Sequence, residues 1–309
     1  MAVPRAAGIE RLGLGLAALG RPAYLNVGRA ELPADRTVEA MRAASWDVLD
    51  QAYAAGVRWV DVARSYGLAE EFLAGWLRAR APADVTVSSK WGYTYVGEWR
   101  TDAPVHEVKE HSLARFTEQW AESTALLGAH LALYQVHSLT VDSPLFDDLP
   151  LQDALAALPV RVGFSTSGPR QADAVRRALA LERHGVPVFT AVQSTWNVLE
   201  PSVGPALAEA HSTGAHVLVK EALANGRLAV SPPRPVADLA ARHGVGPDAV
   251  ALAAVLAQPW ADTVLLGPSG PRQLRSNLDA LRVPAVTQVT DLAVDPETYW
   301  KDRAALAWS

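Results

Sequence analysis

Four residues have side chains that together could move a proton and stabilise charge on an oxygen: Asp61, Tyr66, Lys90 and His137. Asp61 falls near the end of the apolar run "VRWVDVA" (57–63), and Tyr66 follows five residues later, just before a glycine. A carboxylate at the end of a buried strand needs a positive partner to offset its desolvation. Lys90, closing "VTVSSKW" (85–91), is the candidate, and His137 closes "LALYQVHS" (131–138). A free tyrosine has a pKa of about 10, and an adjacent ammonium lowers it. Asp61 would hold Lys90 charged in a dry site, and Lys90 would tune Tyr66. His137 would donate to a bound carbonyl oxygen or polarise the phenol.

Such a set suits protonating or deprotonating an oxygen while a hydride moves at its carbon. The twenty side chains include no hydride donor, so a nicotinamide cofactor is implied. Each residue alone is ordinary. A strand-end Asp–Lys pair is often structural, a histidine after an apolar strand more often packs in the core, and a tyrosine before glycine usually packs. Their joint placement at three consecutive strand ends is what points to a site.

Positioning them requires strands, and the chain supplies eight short apolar, β-branched runs. Besides the three above they are "LGLGLAAL" (12–19), "VRVGFSTS" (160–167), "VFTAVQST" (188–195), "HVLVKEAL" (216–223) and "TVLLGPS" (263–269). Near-continuous apolar runs suit parallel strands buried on both faces. Between them lie segments of helical period, among them "VEAMRAASWDVLDQAYAAG" with Gly56 as its stop, "LARFTEQWAESTALLG" and "QADAVRRALALERHG". Strand then helix, eight times over, predicts a single α/β domain, a (β/α)8 TIM barrel over 1–309. An open doubly wound sheet is the alternative. It is weakened because "GLGLAALG" (13–20) lies within the first strand and opens no helix. The connections at about 20–36 and 92–105 are long, and long βα loops are where barrels build substrate pockets.

Composition sets the outer bounds. The net charge is −5, with 50% hydrophobic and 20% charged residues, so there is no basic footprint for nucleic acid. No cysteine is present, which excludes disulfides, thiolate metal sites and cysteine nucleophiles. Arg5, Glu10 and Arg11 interrupt the first apolar residues, and no stretch approaches the roughly 20 apolar residues that cross a bilayer. A cytoplasmic protein without a membrane partner is expected.

In this order, "DVARSYG", "SSKWG" and "LYQVHS" resemble the aldo-keto reductase superfamily, with its D-x-A-x-x-Y-G signature and Asp-Tyr-Lys-His tetrad. The resemblance implies Tyr66 as general acid/base, Lys90 as the group lowering its pKa, Asp61 as the partner of Lys90, and His137 orienting the carbonyl. It also implies NADPH, less often NADH, bound extended without a Rossmann domain, and no metal.

The same resemblance places the cofactor along strands five to eight. "VGFSTS" puts Ser165 at the family's serine and Thr166 where an asparagine commonly binds the carboxamide. "AVQSTWN" offers Gln193 for that amide. In "LVKEALANGRL", Leu223, Gly226 and Leu228 fit the family pattern. Lys220 stands where an aromatic usually stacks, and Glu221 where a serine is common. Either both belong to the site or they form a solvent-facing pair. "LLGPSGPRQLRSN" resembles the segment holding the adenosine end, with Gly267, Ser269, Gln273 and Asn277 as contacts. Gly270 replaces a frequent basic residue, and Arg272 and Arg275 lie close enough in sequence to substitute, which leaves NADPH as the expected cofactor and NADH as the alternative.

The substrate is a small carbonyl compound or a sugar. Tyr24, Trp91 and Trp99 are the pocket candidates, since aromatic rings with polar edges bind sugar faces or aryl aldehydes. Carbonyl reduction is the first reading. An aldose dehydrogenase or a non-catalytic cofactor-binding regulatory subunit are the others, and the oligomeric state is open. A metal-dependent hydrolase needs more strand-end ligands than Asp61 and His137. His106 and His111 are expected in solvent, and "DPETYWKDRAALAWS" is expected to add a last helix.

Overall fold

All eight apolar runs become parallel strands in a computed structural model that describes residues 8–24, 26–284, 286 and 290–308. They are β1 (Leu12–Gly15), β2 (Trp59–Asp61), β3 (Thr86–Trp91), β4 (Leu131–Leu139), β5 (Arg161–Thr166), β6 (Ala191–Thr195), β7 (His216–Lys220) and β8 (Thr263–Leu266). Neighbours in sequence are neighbours in space, and β1 pairs with both β2 and β8, so the sheet closes into a barrel.

Helices fill the connections: α1 (Val38–Ala55), α2 (Ala69–Arg80), α3 (Leu113–Leu127), α4 (Leu149–Ala156), α5 (Gln171–Leu179) and α6 (Gly204–Ser212). Two more, α7 (Arg234–His243) and α8 (Pro247–Leu256), separate β7 from β8, and α9 (Pro271–Leu278) and α10 (Pro296–Ala304) follow β8. This is the (β/α)8 architecture that the strand–helix rhythm predicts. Gly56 ends α1 as expected: its N–H reaches the carbonyls of Ala52 and Tyr53. The helix expected over 171–185 stops at Leu179. The residues "LERHG" instead turn back, Glu182–Arg183 pairing antiparallel with Val186–Pro187. The turn residues His184 and Gly185 both take positive φ, which a helix cannot use.

Side chains alternate between the two faces of each strand. The inward column on β2 is Trp59 and Asp61, on β3 Ser88 and Lys90, and on β4 Leu133, Gln135 and His137. Trp59, Leu133, Ala191 and Leu218 form the apolar floor, and the outward residues join the larger core beneath the helices. Trp59 stacks on His216 at 5.0 Å. The barrel is therefore apolar at its base and polar at the C-terminal ends of its strands, where such folds place their chemistry.

Candidate active site

Register decides which polar groups meet. Asp61 is paired with Ser88 across β2 and β3, and Lys90 with Gln135 across β3 and β4. Asp61 is 2% exposed, and Lys90 is fully buried with its ammonium bonded to Asp61 Oδ1 and, at 3.1 Å, to the Val62 carbonyl. The other carboxylate oxygen accepts from Ser88 Oγ at 2.6 Å, Gln193 Nε2 at 3.0 Å and Gln135 Nε2 at 3.3 Å. Trp59 Nε1 in turn donates to Ser88 Oγ at 2.9 Å, so the pair is held by a hydrogen-bonded chain rising from the floor. A buried charge persists only when paired and saturated with donors, and here it is both.

Tyr66 is placed by a close backbone approach. Gly67 takes a φ of +62°, and a Cβ there would lie 2.7 Å from Arg21 Cβ. A side chain on Gly20 would collide with the Tyr66 carbonyl. The two glycines let the start of the β1–α1 loop lie against the turn after β2, sealed by Leu68 N donating to Gly20 O at 2.8 Å. That contact brings Arg21 beside Tyr66. Arg21 is 1% exposed; it donates to the Ser65 carbonyl at 2.8 Å and to Glu107 at 2.6 Å. Lys90 Nζ lies 4.9 Å from the centre of the Tyr66 ring. Burial first, then the charge of Asp61, pushes the Tyr66 pKa well above 10, and Arg21 is the cation that opposes them. The phenol is a firmly protonated donor.

His137 faces Tyr66 edge-on, with ring centres 5.5 Å apart, and its Nδ1 lies 3.3 Å from Ser65 Oγ. Burial, followed by the charges of Lys90, Lys220 and Arg21, holds it well below 6.5, so the ring is neutral. A Ser65 hydroxyl donating to Nδ1 leaves the ring proton on Nε2.

Arg21, Asp61, Tyr66, Glu107 and His137 line a cavity of about 600 Å³, whose lining also includes Lys220, Glu221, Leu223, Arg272, Gln273 and Asn277. Lys220 and Glu221 are thus not a solvent-facing pair. Lys220 Nζ donates to Thr195 Oγ1 at 2.8 Å, and burial pulls its pKa down to about 8, with Glu221 opposing. Burial disfavours the Glu221 charge, yet Arg303 from α10, and then Lys220, hold its carboxyl well below the usual range. The C-terminal segment reaches the cavity through Arg303 and Trp308. Trp308 stacks on His106 at 4.4 Å and meets Tyr24 edge-on at 6.1 Å. Tyr24 lines the cavity, and burial raises the pKa of its phenol.

Other expected site residues lie elsewhere. Trp91 follows the inward Lys90 and so faces outward, fully buried against Phe116 and His111. Trp99 packs on Phe72 and donates to the Arg36 carbonyl at 2.8 Å; neither tryptophan lines the cavity. Thr166 follows the inward Ser165 and bonds Ser194 Oγ at 2.7 Å, outside the lining. Ser165 Oγ accepts from Ser138 N at 2.8 Å, and Ser269 donates from N and Oγ to Gln273 Oε1. Gln193, Leu223, Gly267, Arg272, Gln273 and Asn277 do line the cavity. His106 and His111 are buried rather than in solvent, because the loop after β3 folds back as an antiparallel pair, Tyr93–Tyr95 with Glu107–Lys109. His111 Nε2 lies 2.9 Å from the His137 carbonyl. Sequence reasoning missed Arg21, Ser65, Glu107 and Trp308. Among the described residues, no cluster of three or more His, Asp or Glu side chains could hold a metal, and no helix is long and apolar enough to cross a membrane.

Comparison with known proteins bears on the fold and the family. Protein tas of Escherichia coli (strain K12) is 25% identical, the alignment covering 76% of this chain and 84% of that protein. An aldo-keto reductase from Bacillus halodurans, in its holo form, is similar in structure with a TM-score of 0.64 and 19% identity, covering 95% of this chain and 91% of that one. A Pseudomonas aeruginosa protein assigned to the aldo-keto reductases gives a TM-score of 0.61 at 23% identity, over 88% of this chain and 90% of that one. At such identities the two structures speak for the fold alone. The model of the Aldo/keto reductase family matches residues 11–292. The chain therefore belongs to the aldo/keto reductase family of oxidoreductases.

Proposed function

We propose that the protein reduces an aldehyde or ketone to an alcohol, using a reduced nicotinamide dinucleotide held in the 600 Å³ cavity. The observation that carries this reading is the buried Lys90–Asp61 pair beside a protonated Tyr66 and a neutral His137, with Asp61, Tyr66 and His137 lining the cavity. The far end of the cleft suits a dinucleotide. Asn277, 2% exposed, belongs to its lining and has an Oδ1 acceptor with no hydrogen-bond partner. Gln193 lines the cleft between the two ends.

When bound, the nicotinamide supplies the hydride. The chain's residues manage the oxygen. His137 Nε2 donates a hydrogen bond that fixes the carbonyl oxygen near Tyr66, and the Tyr66 hydroxyl gives that oxygen its proton as charge develops on it. Arg21 and Lys90 stabilise the phenolate left behind, and Asp61 keeps Lys90 charged and aimed. Burial of Arg21, Asp61, Tyr66 and Lys90 excludes water and strengthens each interaction.

Tyr66→Phe tests the assignment. It should remove nearly all carbonyl reduction, while fluorescence titration shows dinucleotide affinity within a few-fold of the wild type. Retained turnover in that variant would sink the acid role of Tyr66.

A further inference from the structure

The β1–α1 loop spans the cavity from one wall to the other. Val27 N donates to the Asn225 carbonyl at 2.9 Å, and the Gly28 carbonyl accepts from Gln273 Nε2. Arg29 secures the loop from beneath, donating to Ala18 O at 2.9 Å. The loop delivers one charged side chain to the far end of the cavity, Glu31. Its Oε2 accepts from Arg272 N at 2.8 Å and its Oε1 from Gln273 N at 2.9 Å, with Arg272 Nε 3.7 Å away. Gly270 provides the room: a Cβ there would lie 2.5 Å from Glu31 Cβ and 2.6 Å from Oε2. Backbone amides at a helix start are what a phosphate would use. Here the chain's own carboxylate, 10% exposed, already occupies them. A second observation marks the same place as a ligand site: Asn277 lines this cavity and its Oδ1 has no partner, its Nδ2 being committed to Asp248 at 2.6 Å.

We propose that Glu31 makes the cavity selective for the unphosphorylated dinucleotide, NADH over NADPH. The inference rests on the dinucleotide reading given under Proposed function and deepens it. A 2′-phosphate brought to this helix start meets a fixed negative charge, or must displace a carboxylate holding two charge-assisted hydrogen bonds. A ribose with a free 2′-hydroxyl meets a carboxylate with lone pairs to spare, the acceptor such hydroxyls use in other dinucleotide sites. The expectation of NADPH drew on Arg272 and Arg275. In the structure Arg272 is paired with Glu31, and Arg275 donates to Gln51 at 3.0 Å on the exposed surface.

Titration of the full chain with NADH and with NADPH, followed by intrinsic tryptophan fluorescence, tests this directly. The wild type should bind NADH at least about tenfold more tightly than NADPH. Glu31→Gln keeps the shape and removes the charge; it should tighten NADPH by about tenfold and weaken NADH by several-fold, so that the preference collapses. A wild-type preference for NADPH overturns the proposal whether or not the variant folds, as does NADPH affinity unmoved in a Glu31→Gln protein with a native thermal transition. Failure of the wild type to bind either dinucleotide overturns the reading beneath it, and the proposal with it.

Discussion

The Arg21 guanidinium lies 5.3 Å from the centre of the Tyr66 ring, and it donates to the carbonyl of the residue just before that tyrosine. It also lies 4.8 Å from the ring centres of both Tyr24 and Trp308. Lys90, by contrast, spends its charge on Asp61. Arg21, itself paired with Glu107 at 2.6 Å, is therefore the cation that opposes burial and Asp61 at the Tyr66 phenol.

Removing that cation should be felt unequally in the two directions of the reaction. Arg21→Gln leaves Tyr66 still harder to ionise, so alcohol oxidation, which needs the phenolate, should fall by about ten- to a hundredfold. Carbonyl reduction should fall less, and Arg21→Lys should recover part of the loss. Initial rates in both directions across pH provide the check: the alkaline limb for oxidation should move upward in Arg21→Gln. An unmoved limb rules out the electrostatic role.

Lys90→Met leaves Asp61 buried without its counter-ion. The variant should lose about 3–5 kcal/mol of stability in urea denaturation. Adding Asp61→Asn should return most of that loss, since no uncompensated charge then remains, although activity stays absent. A double variant no more stable than Lys90→Met would show that the cost arises from packing.

Acid should destabilise the protein through its buried histidines. Burial, with the charge of Lys109, holds His111 down at about 4, while its unfolded value is about 6.5. Between those values the unfolded chain binds a proton that the folded one refuses, so stability falls as pH drops from 6.5 to 4. His111 alone accounts for about 3 kcal/mol over that window. Thermal unfolding midpoints measured through the window should fall more gently in His111→Gln. An unchanged slope would place the sensitivity in another group.

The barrel was legible because its strands are short, apolar and separated by well-marked helices, so that period alone located all eight. The meeting of Asp61, Tyr66, Lys90 and His137 was legible because strand ends fix where side chains emerge. Trp91 and Thr166 were misjudged although the same alternation that turns Lys90 and Ser165 inward turns their successors outward. The hairpin at 182–187 hid inside a helical pattern because "LERHG" carries its turn signal only in its last residue. Arg21, Glu107 and Trp308 were invisible for a different reason. They come from three distant loops, and their meeting depends on two glycine contacts and a folded-back β-pair that no local pattern announces. Glu31 belongs to the same class, joined to α9 across 241 residues of sequence.

The wall built by Arg303 and Trp308 belongs to no barrel strand. A substitution within residues 296–308 would therefore change the wall of the cleft without altering the strands that carry Asp61, Lys90 and His137. The outer wall of the cleft and the polar ends of the strands are thus carried by separate stretches of one chain.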